Sequence, residues 1–154
     1  MEPSDRLEAL KRMPLLAGLP HGDLEHMAKN VEVQQFAPGT ELIKEGTSGA
    51  TAYFIVSGQC EVRRRLGAAS TRLAFLGPGE FFGELSIVDP APRTATVIAT
   101  EPVVALTLSG YHFRAALQSN LAMALHLVKV LAVRLRALED EFAPTFRKMP
   151  APRD

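Results

Sequence analysis

The stretch "FFGELSIVDPAPRTATV", Phe81 to Val97, decides the reading of this chain. Glu84 directly follows Gly83, and Arg93 follows Pro90 and Pro92, all between two apolar runs. Pro90 disfavours helix at Asp89, so Gly83 to Val88 can form only a helical turn or so. A turn entered from a glycine leaves the amides of Glu84, Leu85 and Ser86 without partners at a helix N-terminus. Such amides and the helix dipole together favour a nearby anion by roughly 0.3–1 kcal/mol, up to about 2 kcal/mol when partly buried.

Gly83 lets a phosphate approach the backbone where a side chain would collide. Arg93 adds a positive, planar fork suited to phosphate oxygens, and the fixed φ of Pro90 and Pro92 limits the arc that carries it back. Glu84 repels an anion, yet a carboxylate beside a phosphate can accept the hydroxyl hydrogen of an attached ribose. The pair therefore reads as one phosphodiester on one side and a ribose on the other. Each residue also has a plainer reading. Glu84 is favourable at any helix start, Arg93 can simply pair with Glu84, and Thr94 and Thr96 are ordinary strand residues.

Around this stretch the chain changes period. From Val31 to Leu108, short β-branched and aromatic runs are divided by turn residues: "VEVQQF", "AYFIVSG", "CEVRRRL", "TRLAFLG", "TATVIAT" and "VVALTLS". Pro38-Gly39 and Pro78-Gly79 each suit the centre of a type II turn. The spacing predicts an all-β sandwich or barrel. Before it, Leu7, Leu10, Leu24 and Met27 recur at helical intervals, with Ser4 and the His21-Gly22-Asp23 segment as starts, which predicts two short helices. After it, Ser109 can cap a short helix containing Phe113, Ala116 and Leu117, and Asn120 can start a long one.

Along that long helix Leu121, Ala124, Leu125, Val128, Leu131, Ala132, Leu135, Leu138 and Phe142 form one apolar stripe. Met123, Leu127, Val130 and Ala137 form a second. Both stripes can cover the β core, or one can meet a second chain as a helix pair. Residues 143–154, with Pro144, Pro150 and Pro152, read as a flexible tail.

Composition narrows the function. The 154 residues suit one domain, and 17 Lys+Arg against 17 Asp+Glu give no basic excess for a nucleic-acid backbone. The run Arg63-Arg64-Arg65 decorates a solvated hairpin or, less simply, forms a partner site. The single cysteine, Cys60, reads as a small buried thiol, and without a possible internal disulfide the expected location is cytoplasmic. The N-terminus has no signal-peptide pattern, every apolar run is too interrupted to span a bilayer, and no membrane contact is expected.

Phe82-Gly83-Glu84, then Leu85-Ser86-Ile87-Val88, then Pro92-Arg93-Thr94-Ala95-Thr96-Val97 closely resembles the phosphate-binding cassette of the cyclic nucleotide-binding domain family. That family includes the sensor domains of catabolite activator proteins, protein kinase A regulatory subunits and cyclic-nucleotide-gated channels. The glycine and aromatic placement from Phe36 to Leu108, including "YFIVSGQCEV", extends the likeness. The resemblance implies a mainly β domain over residues 1–142: an antiparallel jelly-roll barrel at about 31–108, N-terminal helices, and C-terminal B and C helices at about 109–142. It also implies a ligand, cAMP or cGMP, and no cofactor. Phe82 and Gly83 would line the site, Glu84 would hold the ribose 2′-hydroxyl, and Arg93 with the amides of Leu85 and Ser86 would hold the phosphate. Thr94 would touch phosphate or base, which leaves the base open. Arg134 and Leu138 are candidate lid contacts. The chain departs from the pattern at "EGTSGATAYF", where relatives often carry aspartates.

A receptor of this kind would move its C-terminal helices on binding and signal through a partner or a fused effector. The family's DNA-binding members carry a further domain after the long helix, and direct nucleic-acid binding is not expected here. Two readings compete: a dimerising scaffold of the same fold without ligand, and a cupin-like barrel binding a small molecule. Metal cupins need clustered histidines on their strands, whereas His21, His26, His112 and His126 lie outside Val31 to Leu108. No nucleoside-triphosphate loop and no nucleophile with an evident base supports an enzyme.

Overall fold

The computed structural model describes residues 1–141. Phe142 and the tail with its three prolines lie outside the described residues, and so does the boundary expected there. The chain opens with α1 (Pro3–Lys11), a 3-10 turn (Pro14–Leu16) and α2 (His21–Asn30). Eight strands follow: β1 (Glu32–Phe36), β2 (Glu41–Ile43), β3 (Thr51–Ser57), β4 (Cys60–Leu66), β5 (Ala69–Leu76), β6 (Phe81–Phe82), β7 (Thr96–Ala99) and β8 (Val103–Ser109). The short α3 (Leu85–Val88) interrupts them between β6 and β7, and α4 (Gly110–Ser119) and α5 (Leu121–Glu141) close the described chain.

The strands form two four-stranded antiparallel sheets, ordered β1-β8-β3-β6 and β2-β7-β4-β5. This is the expected jelly roll, built as two facing sheets rather than as one ring hydrogen-bonded all the way round. The six runs visible in the sequence are β1, β3, β4, β5, β7 and β8. The other two, β2 and β6, are three and two residues long, too short for alternation to show. Both Pro-Gly segments make tight turns: Thr40 N donates to Ala37 O and Glu80 N to Gly77 O, each at 3.1 Å, with Gly39 and Gly79 at φ 87°. These are the positive-φ central positions that a type II turn requires.

In the first sheet the inner strands β3 and β8 are buried on both faces, which explains their nearly continuous apolar runs, whereas the edge strand β1 is largely exposed. Tyr53, Ile55, Val103 and Ala105 face the second sheet with Ile43, Cys60, Phe82, Val97 and Ala99. Ala52, Phe54, Leu106 and Leu108 point the other way, into a core shared with α1, α2, Phe113 of α4 and Met123 and Leu127 of α5. The two-residue β6 joins these cores, since Phe81 packs with Phe54 and Phe82 stacks on Tyr53 at 4.8 Å. The outer face of the second sheet is mixed, with Phe75 and Ile98 beside the charged side chains of β4. Its β4–β5 hairpin carries Arg63-Arg64-Arg65, with Arg63 paired to Glu61 and Ser70, so the run decorates a solvated hairpin. Cys60 is fully buried between the sheets, and burial pushes its thiol up to about 11.

Both helix starts expected after the sheets are present. Ser109 Oγ accepts from His112 N at 3.3 Å, and Asn120 Oδ1 accepts from Met123 N at 3.0 Å. Of the two stripes on α5, Met123 and Leu127 are the core-facing one. Leu121, Leu125, Val128, Leu135 and Leu138 are exposed, at 49–74% of their full area. No helix among the described residues is long and apolar enough to cross a membrane.

Candidate functional site

The stretch from Phe81 to Val97 folds as its prolines require. The chain leaves β6 through Gly83 at φ 88°, makes the single turn α3, and turns extended at Asp89 (φ −129°, ψ 97°) before Pro90. A Cβ at Gly83 would lie 2.4 Å from Thr51 O and 3.2 Å from Arg93 Nη1, so no other residue fits. Within the turn, Ile87 N and Val88 N donate to Glu84 O, and Asp89 N donates to Leu85 O. The amides of Glu84, Leu85 and Ser86 donate to no carbonyl among the described residues, as expected for the open N-terminus of a helix.

Arg93 is only 7% exposed. Its Nη1 donates to Gly83 O at 2.9 Å and its Nη2 to Thr51 O at 3.2 Å. Burial pushes the guanidinium below its ordinary pKa, while Tyr53 and Glu84 pull it back up. The group stays charged, because an arginine does not lose its proton in a protein. Gly49 completes its seat: a Cβ there would meet Arg93 Nη2 at 2.9 Å. The loop that departs from the family pattern thus supplies a glycine for the arginine to lie against.

Glu84 is 2% exposed and does not pair with Arg93. Its Oε1 accepts from Arg134 Nη1 at 2.8 Å, so α5 reaches across the mouth of the site. The Arg134 guanidinium also lies over the Phe81 ring, 5.4 Å from its centroid, a distance at which ring and cation attract.

Between these groups lies a cavity of about 270 Å³. Phe82, Gly83, Glu84, Leu85, Ser86, Arg93, Thr94 and Arg134 all line it. The residues named from the cassette are therefore together in one place, with one lid candidate beside them. Leu138, the other lid candidate, is 49% exposed and is not among the lining residues. The far wall is apolar, formed by Ile43, Val62, Ala74, Leu76 and Val97. Sequence reading missed Ala74 and Leu76, since nothing in β5 distinguishes wall residues from its exposed neighbours. The four histidines sit on α2, α4 and α5, and no cluster of metal-ligating side chains occurs among the described residues.

A jelly roll with a one-turn helix that presents free amides beside a buried arginine and a buried glutamate defines a class of domain. The family model described as "Cyclic nucleotide-binding domain" matches residues 33–120. The chain belongs to that family. It is 30% identical over 137 residues to the CRP-like cAMP-activated global transcriptional regulator of Mycobacterium tuberculosis, covering 88% of this chain and 61% of that protein. It is 35% identical over 109 residues to the cGMP-dependent protein kinase, isozyme 1, of Drosophila melanogaster, covering 68% of this chain and 14% of the kinase. The crystal structure of the Thermus thermophilus catabolite activator protein superimposes with a TM-score of 0.77 at 30% identity, over 86% of this chain and 62% of that one. The chain spans less than two thirds of the length of each of these relatives. The family is one of regulatory cyclic nucleotide-binding domains.

Proposed function

We propose that this chain is a receptor domain for a cyclic nucleotide, cAMP or cGMP, which it binds without cofactor or catalysis. Arg93 and the amides of Leu85 and Ser86 hold the phosphate, Gly83 gives it room, and Glu84 accepts the ribose 2′-hydroxyl. Phe82 and the apolar wall enclose the sugar and base, with Thr94 near the phosphate. The helices α4 and α5 form the lid, with Arg134 at its contact point and Leu138 brought in only if α5 closes further. One observation carries this reading: Arg93 and Glu84 are both buried in one cavity, and each is held by a partner other than the other. A mere structural ion pair would have joined them.

Charge supports a phosphodiester in particular. Arg93 and Arg134 against the single carboxylate of Glu84 leave one positive charge at the cavity. A cyclic phosphate carries one negative charge and balances it. A 5′-monophosphate near its second ionisation carries up to two, and its excess would be poorly solvated there.

Binding would shift α4 and α5 only through different affinities for their two positions, and moving a population from 1:99 to 99:1 takes about 5.5 kcal/mol. The signal would pass to a partner or a fused effector, in a cytoplasmic setting. A homodimer through the exposed stripe of α5 belongs to the same reading, with no direct contact to nucleic acid or membrane by residues 1–142.

Thermal unfolding with cAMP, cGMP and 5′-AMP tests the proposal. A cyclic nucleotide at 100 times its dissociation constant should stabilise the fold by about 2.7 kcal/mol, with 5′-AMP giving much less. No shift from either cyclic nucleotide at millimolar concentration would overturn the receptor reading and leave the ligand-free scaffold.

A further inference from the structure

The helix α3 is held at both ends by arginines from the C-terminal helices. At its N-terminal end, Glu84 is paired with Arg134 of α5. At its C-terminal end, Arg114 of α4 donates from Nη2 to the main-chain carbonyl of Ile87 at 2.8 Å. The first contact belongs to the site already described. The second lies outside the cavity and has no part in the recognition outlined above.

A turn of four residues cannot satisfy its own C-terminal carbonyls. In α3, Glu84 O and Leu85 O receive backbone amides, whereas Ile87 O receives the guanidinium of Arg114. A cation on the last carbonyls favours a helix for the same reason that an anion at its first amides does. Side chains reinforce the link: Ile87 and Phe113, the residue before Arg114, are both fully buried in one core. Arg114 itself is exposed overall, so its guanidinium can hold Ile87 O without a fold that depends on it.

We propose that Arg114 is a positioning residue for the phosphate site. It fixes the tilt of α3, and with it the direction of the Leu85 and Ser86 amides, and it makes α4 follow any movement of α3. The inference rests on the reading of those amides as phosphate ligands. An anion drawn to the N-terminal end tips a one-turn helix as a rigid piece, because so short an element has no interior to absorb the change. Ile87 O then carries Arg114 and α4 with it, and α5, joined to α4 through Asn120, follows.

The test compares the wild-type chain with Arg114→Ala and Arg114→Lys, titrated calorimetrically with cAMP and cGMP. Arg114→Ala should bind roughly tenfold more weakly, and Arg114→Lys should recover part of the loss, because a lysine supplies the charge without the planar fork. The second readout is hydrogen exchange across α4 at saturating nucleotide. Ligand should change exchange there in the wild type and change it much less in Arg114→Ala, where only the Ile87 and Phe113 packing remains, a difference that a purely structural role would not produce. Equal affinity and an intact α4 response in Arg114→Ala would overturn the tether alone. Failure of the wild type to bind either nucleotide would overturn the phosphate-site reading, and the tether with it. If Arg114→Ala is too unstable to titrate, Arg114→Lys decides by the same two readouts: a partial loss of affinity with a weakened α4 response supports the tether, and full wild-type behaviour overturns it.

Discussion

Arg93 and Arg134 line the same cavity from opposite kinds of scaffold. Arg93 lies between β6 and β7 at 7% exposure, its guanidinium bound to the carbonyls of Gly83 and Thr51 and seated against Gly49. Arg134 stands on α5, its side chain 43% exposed, and reaches the site through one ion pair with Glu84 and a ring contact with Phe81. A group fixed by several buried bonds keeps its geometry whether or not ligand is present, which is how a site is preorganised. A contact whose cation stands half-exposed on a separate helix is held less firmly, because solvent screens that cation and can replace its partner. The difference implies a division of labour: the sheet-borne end supplies affinity, and the helix-borne end supplies response.

Replacing Arg93 should have the largest effect. Arg93→Ala removes the one cation seated at the phosphate end, and cyclic nucleotide affinity should fall roughly 100-fold or more, as for loss of one partner in a buried charged contact. The same change leaves two carbonyls without donors, so thermal unfolding should show a loss of about 1–3 kcal/mol without ligand. Arg93→Lys should rescue little, since one ammonium cannot span both carbonyls and a phosphate. Glu84→Gln should cost about tenfold in nucleotide affinity by calorimetric titration, because the amide keeps an acceptor for the ribose but loses its charge. Arg134→Ala should cost only several-fold, and its effect should shrink as salt rises, in keeping with its exposure. The contrast breaks if Arg134→Ala weakens binding as much as Arg93→Ala.

The sheet-borne half was largely legible in the sequence. Prolines and glycines force local geometry wherever they stand, so Gly83, Pro90 and Pro92 announced a one-turn helix with free amides, and the structure has it at Leu85–Val88. The partners of the charged groups were not legible. Arg93 binds the carbonyls of Gly83 and Thr51, and Arg114 binds that of Ile87, and a main-chain acceptor leaves no mark in a sequence. Gly49 was hidden for a related reason. In the sequence its loop reads as a glycine-marked break that lacks the family's aspartates, while its use is the absence of a Cβ beside an arginine 44 positions away. Arg134 was found as a lid candidate from its place on α5, but its pairing with Glu84 depends on how α5 crosses the sheets. No periodicity encodes that crossing.

The smallest effect on ligand binding, and the sharpest test of what α5 responds to, lies on its outer face. Leu121, Leu125, Val128, Ala132 and Leu135 follow one another at alternating steps of four and three, the spacing of a two-helix seam. All but the half-buried Ala132 are exposed, whereas Met123 and Leu127 already cover the core. A contiguous apolar face of this kind on a folded chain favours association. Leu125→Glu should therefore convert a dimer to a monomer by light scattering. It should change the thermal stability of the monomer by no more than about 0.5 kcal/mol, because an exposed side chain contributes little to its own fold. Nucleotide affinity should stay within a few-fold of wild type, because Leu125 is about two and a half helical turns from Arg134 and does not line the cavity. A large loss of affinity in the monomeric variant would mean that a second copy helps to form the site, and the division between the fixed and the responsive arginine would have to be redrawn across two chains.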